Sequence, residues 1–121
     1  MAVGESSENY LETILILSKA HPVVRSVDIA EELGFKKSSV GVAMKNLREL
    51  GHITVSKEGF INLTASGREI ADMIYERHQL LSAWLVKLGV DEKTASEDAC
   101  KIEHVISKES FEAIKKHVNK K

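Results

Sequence analysis

A mainly α chain interrupted by one short β-hairpin is what this sequence predicts, on three observations. Apolar residues recur at helical intervals through most of the 121 residues. Aromatic content is 5% with a single proline, a composition that favours helices over a β-sandwich. Between His52 and Leu63 the pattern changes to alternation, with Gly59 placed for a turn.

The first helix is predicted from about Ser6 to Ala20, with Tyr10, Leu11, Ile14, Leu15 and Leu17 as its apolar stripe. His21-Pro22 ends it, because the residue before proline is pushed out of the α region. Ser26 is placed to cap a short second helix that carries Val27, Ile29, Ala30 and Leu33 inward and stops at Gly34. Lys36-Lys37-Ser38-Ser39 leads into a third helix with Val40, Ala43, Met44, Leu47 and Leu50 at helical spacing, closed by Gly51. His52 to Ser56 and Phe60 to Leu63 then alternate across Lys57-Glu58-Gly59 as a hairpin. Thr64 caps a long fourth helix, about Ala65 to Leu88, with Ile70, Met73, Ile74, Leu80, Leu81, Trp84, Leu85 and Leu88 as candidates for burial. At about 1.5 Å per residue it spans roughly 35 Å, long enough to bridge two halves of the chain. Asp91 starts a fifth helix and Ser107 a sixth, which ends in a frayed basic tail from Lys115 to Lys121.

This order gives two parts: residues 1–64 as a winged helix-turn-helix and residues 65–121 as a helical domain. A single Cys excludes an intramolecular disulfide, and an N-terminal apolar signal segment is lacking, so a cytoplasmic location is expected. No apolar run approaches the roughly 20 residues that cross a bilayer, and no membrane role is expected. Net charge is −1, so affinity for nucleic acid has to rest on local clustering rather than on overall charge.

Such a cluster lies at the third helix. Lys36, Lys37, Lys45 and Arg48 precede its first acid, Glu49. In a winged helix-turn-helix this helix enters the major groove with its N-terminal residues near base edges, while the wing reaches the backbone or minor groove. Ser38 and Ser39 are short donors suited to phosphate or base-edge contacts, and Val42 suits a thymine methyl. Arg25 ahead of the second helix and Lys57 at the hairpin turn complete the expected DNA-binding set. The competing reading makes the basic run a solvated face and the serines simple helix caps.

Cys100, Glu103 and His104 stand at i, i+3 and i+4 of the predicted fifth helix, which brings a thiolate, a carboxylate and an imidazole to one face. Each is a competent metal ligand. One helix rarely completes a six-coordinate site, and Asn9, Glu12 and His78 are candidates to complete it. The competing reading is a core-facing Cys100 beside an exposed Glu103-His104 pair. No separate nucleophile and base constellation accompanies these residues, so no enzyme is expected.

Five further segments complete a pattern: Glu8-Asn-Tyr-Leu-Glu-Thr-Ile14, Val27-Asp-Ile-Ala-Glu-Glu-Leu33, Ser38-Ser-Val40, Leu63-Thr-Ala-Ser-Gly67 and Arg77-His78. With Cys100-x-x-Glu103-His104, their order resembles the diphtheria toxin repressor and manganese transport regulator family of metal-dependent repressors. The resemblance implies homodimers whose winged helix binds palindromic operators in double-stranded DNA. It implies C-terminal helices that supply the dimer interface and the metal site, and control of metal-uptake genes. The chain looks like the short form without an SH3-like domain.

Carried over from the family, the metal ligands fall on Asn9, Glu12, His78, Cys100, Glu103 and His104. Asn9 replaces the usual Asp or Met. Cys100 matches the iron sensors, where manganese sensors carry Glu. A thiolate suits Fe(II), and in vitro Co(II), Ni(II) or Zn(II), better than Mn(II), so Fe(II) is expected ahead of Mn(II). The iron sensors' ancillary site is not expected to survive, since Ser82 and Ser96 stand at two of its positions, and Val105 lacks the second His of many manganese sensors. The alternatives are a winged-helix regulator that senses an organic ligand without metal and a small metalloenzyme.

Overall fold

The computed structural model describes residues 4–120. In chain order they form α1 (Glu5–Ala20), α2 (Ser26–Leu33), α3 (Lys37–Glu49), β1 (Ile53–Val55), β2 (Ile61–Leu63), α4 (Ala65–Lys87), α5 (Glu92–Val105) and α6 (Lys108–Asn119). Two compact units divide the chain, the first ending at Asp72 and the second starting at Met73, so that α4 belongs to both. No helix among the described residues is long and apolar enough to cross a membrane.

The first unit is built around side chains withdrawn from water: Leu11, Ile14 and Leu15 of α1, Ile29 of α2, Val40 and Leu47 of α3, and Ile53 of β1. The strands are antiparallel, with Ile53 opposite Leu63 and Val55 opposite Ile61 on the inward face and Thr54 opposite Asn62 on the outward face. Both strands are shorter than the alternation predicts, because Ser56 ends the ladder. Its amide donates to the Phe60 carbonyl at 3.0 Å, its hydroxyl accepts from Phe60 N–H at 3.1 Å, and its carbonyl accepts from Gly59 N–H at 2.9 Å. Gly59 has φ 83°, the left-handed conformation this turn requires. On the outer edge of β2, Ile61 N–H donates to the Val24 carbonyl at 2.7 Å.

Thr64 caps α4 as expected: its hydroxyl accepts from Gly67 N–H at 3.2 Å and donates to the Gly51 carbonyl at 2.7 Å. His52 Nδ1 lies 2.9 Å from Ser66 Oγ, and Thr64 N–H donates to the His52 carbonyl at 3.1 Å. The start of α4 is thereby fastened to the entrance of β1. A Cβ built on Gly67 would collide with the His52 carbonyl oxygen, so only glycine permits this approach.

In the second unit Leu81, Ala99 and Phe111 form the core, with Leu80, Trp84, Ile102, Ile106 and Ile114 packed around them. Asp91 caps α5 by accepting from Lys93 and Thr94 amides, and Ser107 caps α6 by accepting from Ser110 N–H at 3.0 Å.

Several expectations are corrected. The cap position of α2 is Arg25, not Ser26, and the Asp28 carboxylate accepts from Arg25 N–H at 2.9 Å. The basic tail is not frayed from Lys115: α6 continues to Asn119, and Lys115 Nζ donates to Glu76 Oε2 of α4 at 2.7 Å. That hydrogen bond, and then the carboxylate's charge, hold the Lys115 ammonium above its ordinary pKa. Leu50 and Leu88 are exposed because each lies just past the end of its helix. Met73 is exposed because the buried stripe of α4 runs through Ile74, Arg77 and Leu81.

Candidate metal centre and nucleic-acid interface

The last turns of α5 place the chemistry of the second unit. Glu103 lies four residues beyond Ala99 and three beyond Cys100, and spacing from Ala95 and Ala99 turns it to the buried face, where it is 0% exposed. One carboxylate oxygen, Oε1, lies 2.7 Å from His78 Nδ1 of α4. The other, Oε2, has no hydrogen-bond partner among the described residues and lies 3.9 Å from His104 Nε2, whose side chain is 2% exposed. An ionised carboxylate withdrawn from water costs free energy unless it is paired. A cation accepted by Oε2 would supply the missing partner.

His78 connects this carboxylate to a second donor group. With the proton on Nδ1, donated to Glu103, Nε2 carries the lone pair, the arrangement common for metal-bound imidazoles. Nε2 lies 3.4 Å from Ser96 Oγ, and His78, Ser96, Glu97, Asp98, Cys100 and Lys101 line an open depression on α4 and α5. Cys100 is exposed there. The core-facing Cys100 beside an exposed Glu103-His104 pair is therefore overturned: Glu103 and the His104 side chain are buried, and the cysteine is not. Carboxylate, two imidazoles and a thiol form a donor set that fits a divalent transition ion. Asn9 and Glu12 lie on α1 in the first unit, one turn apart, with Asn9 half-buried and Glu12 buried.

Arg77 is the residue that sequence reasoning left without a role. It is 8% exposed, and its Nη1 donates to the carbonyls of Glu103 and Ile106, each at 3.0 Å. Its guanidinium carbon stands 5.5 Å from the centroid of the Phe111 ring. The available signal was its position on the apolar stripe of α4 between Ile74 and Leu81.

In the first unit Lys36, Lys37, Ser38, Ser39, Val42 and Lys45 are all exposed on and ahead of α3. The cap position of α3 is Lys36 and makes no side-chain cap hydrogen bond, so the serines are not engaged as its cap. Val42 is 62% exposed, on the opposite side of α3 from buried Val40, Met44 and Leu47. Arg25 is exposed at the start of α2 with its guanidinium carbon 4.8 Å from the Phe60 ring centroid, and Lys57 is exposed in the hairpin turn.

Residues 2–60 match the family model described as iron dependent repressor, N-terminal DNA binding domain. Residues 64–120 match that described as iron dependent repressor, metal binding and dimerisation domain. The chain is 38% identical to an uncharacterized HTH-type transcriptional regulator of Methanocaldococcus jannaschii over 115 residues, 93% of this chain and 92% of that one. It is 33% identical to the transcriptional regulator MntR of Escherichia coli O157:H7, over 92% of this chain and 72% of that one. Among solved structures it resembles a manganese-dependent transcriptional repressor in complex with manganese, with TM-score 0.85 and 27% identity over 93% of this chain. The chain spans about half of that protein, 52% of its length.

Proposed function

Since the chain belongs to the iron dependent repressor family, metal-dependent regulators with a DNA-binding and a dimerisation domain, we propose that it represses metal-uptake genes in response to Fe(II) ahead of Mn(II). The buried Glu103 carboxylate, one oxygen on His78 and the other without a hydrogen-bond partner beside His104, carries this reading. Residues 1–64 serve as the reading head and residues 65–121 as the metal-binding and dimerisation part.

The proposed ligands are Asn9, Glu12, His78, Cys100, Glu103 and His104. A bound ion would supply positive charge that neutralises Glu103. The chain's own residues do the rest. Glu103 orients the His78 ring, and α1 delivers Glu12 and Asn9 on one helix face. Tying α1 to the dimerising part restricts the two reading heads of a homodimer, which need to sit about one DNA turn apart to engage both halves of a palindrome. A coupling of about 1 to 3 kcal/mol, roughly 5- to 150-fold in affinity, suffices for a switch. The exposed thiol of Cys100 favours Fe(II), while the manganese-bound relative keeps Mn(II) as the second choice.

Titrating the metal-free protein anaerobically with Fe(II), and in parallel with Mn(II), while following operator binding tests the whole reading. Tightening by Fe(II) at lower free concentration is expected. Tightening by Mn(II) alone removes Cys100 from the selecting role. No response to either metal on an operator the protein recognises would replace it with a metal-independent regulator sensing an organic ligand.

The DNA face is tested separately by salt dependence. Lys36 and Lys37 are assigned to phosphates, so the double change Lys36→Ala, Lys37→Ala is expected to flatten the slope of log K against log salt by about two units. An unchanged slope would move the phosphate contacts elsewhere. Arg25, Lys45 and Lys57 are assigned to the backbone in the same way, and Ser38, Ser39 and Val42 to base edges.

A further inference from the structure

We infer that Arg77 is a positioning residue for the metal centre, a step that rests on the metal-sensing reading above. Burying a guanidinium is costly, and a carboxylate partner would normally offset it. Arg77 instead spends its hydrogen bonds on backbone carbonyls: Nη1 donates to Glu103 O and Ile106 O at 3.0 Å each, and Nε has no partner among the described residues. The ring of Phe111 on α6 faces the guanidinium at 5.5 Å.

The two carbonyls are not arbitrary. α5 ends at Val105, so the carbonyls of its last turn have no partner further along the helix. A cation there satisfies them and complements the negative end of the helix. One of the two carbonyls belongs to Glu103 itself, the residue whose carboxylate holds His78, and His104 follows directly. Arg77 is also the chain neighbour of His78 on α4. A single side chain therefore fixes the distance between the α4 imidazole and the α5 carboxylate and imidazole. A plain helix staple could have used the carbonyl of any residue. This one grips the residue that bears the ligand atoms, and partners that orient ligands typically set metal affinity by about 10- to 100-fold.

The test compares Arg77→Met, which keeps length and burial without the donors, with Arg77→Lys, which keeps the charge but not the fork. Ile114→Ala, which thins the same core from α6, serves as a destabilised control. Each full-length protein is titrated with Co(II), reading affinity and ligand-field bands, and the metal-free forms are compared by amide hydrogen exchange. Arg77→Met is expected to weaken Co(II) binding about tenfold or more, alter the bands and speed exchange at the end of α5. Arg77→Lys is expected to recover part of the affinity, and Ile114→Ala to melt lower while binding Co(II) normally. The inference is overturned if Arg77→Met binds Co(II) within twofold of the parent with the same bands, or if Ile114→Ala loses as much affinity at equal loss of stability. Should Arg77→Met fail to fold, Arg77→Lys decides by the same two criteria. Failure of the parent protein to bind Co(II) would instead remove the metal-sensing reading, and this inference with it.

Discussion

Replacing Glu103 by alanine is expected to abolish metal-stimulated operator binding and leave the helical fold in place. The side chain is fully buried, bonded to His78 through one oxygen and placed beside His104 through the other. Its loss removes the only buried carboxylate of α5 among the described residues and takes away the partner that orients the His78 ring. The whole metal response, about 5- to 150-fold in operator affinity, is expected to disappear. Glu103→Gln is the sharper variant. Its amide oxygen still accepts from His78, so the fold and the ring orientation persist, but the negative charge that a divalent ion needs is gone. Operator titrations with and without metal, alongside circular dichroism, decide the matter. A variant that folds and still responds to metal would place the site elsewhere.

Changing Gly67 to alanine is expected to produce the largest loss of stability of any single methyl group added to the first unit. The new Cβ meets the His52 carbonyl oxygen, and that oxygen is itself held by Thr64 N–H at 3.1 Å. Relief requires either opening the cap of α4 or pulling the entrance of β1 away from it, at a cost of about 3 kcal/mol. A fall in Tm of about 10 °C or more follows from that figure for a domain of this size. Gly41 is the natural comparison. It lies inside α3 with open space where its Cβ would go, so Gly41→Ala is expected to raise stability by about 0.5 to 1 kcal/mol. Thermal melts of the two variants side by side check both signs, and similar behaviour of the two would refute the steric account.

The Gly67 contact also shows where sequence reading stops. Thr64 as a cap and alternation after His52 are local signals, set by which groups near in sequence can satisfy one another, and they were legible. The approach of Gly67 to His52 is set by packing between elements, and nothing within a few residues of either announces it. At the proposed metal centre the same division holds. Helical spacing grouped Cys100, Glu103 and His104, but it does not say which way the helix is turned. The core needs of Ala95 and Ala99 decide that Glu103 is buried and Cys100 exposed. Arg77 was harder still, because an arginine on an apolar stripe reads as an interruption until the carbonyls at the end of α5 are seen to need a donor. Ser26 illustrates a smaller miss. It has the chemistry of a cap, but Asp28 two residues later satisfies Arg25 N–H and shifts the start of α2 by one position.

The bond from Ile61 N–H to the Val24 carbonyl has a consequence for how copies of this protein meet. A bare two-stranded hairpin offers its outer row of donors and acceptors as a template on which another hairpin can grow. The Val24 carbonyl occupies the donor at the start of β2, and the Arg25 guanidinium lies over the neighbouring Phe60 ring. That donor is thus withheld from strand exchange on the β2 edge. In a family whose second domain is one of metal binding and dimerisation, this keeps the hairpin edge of β2 from competing with that domain for association between copies.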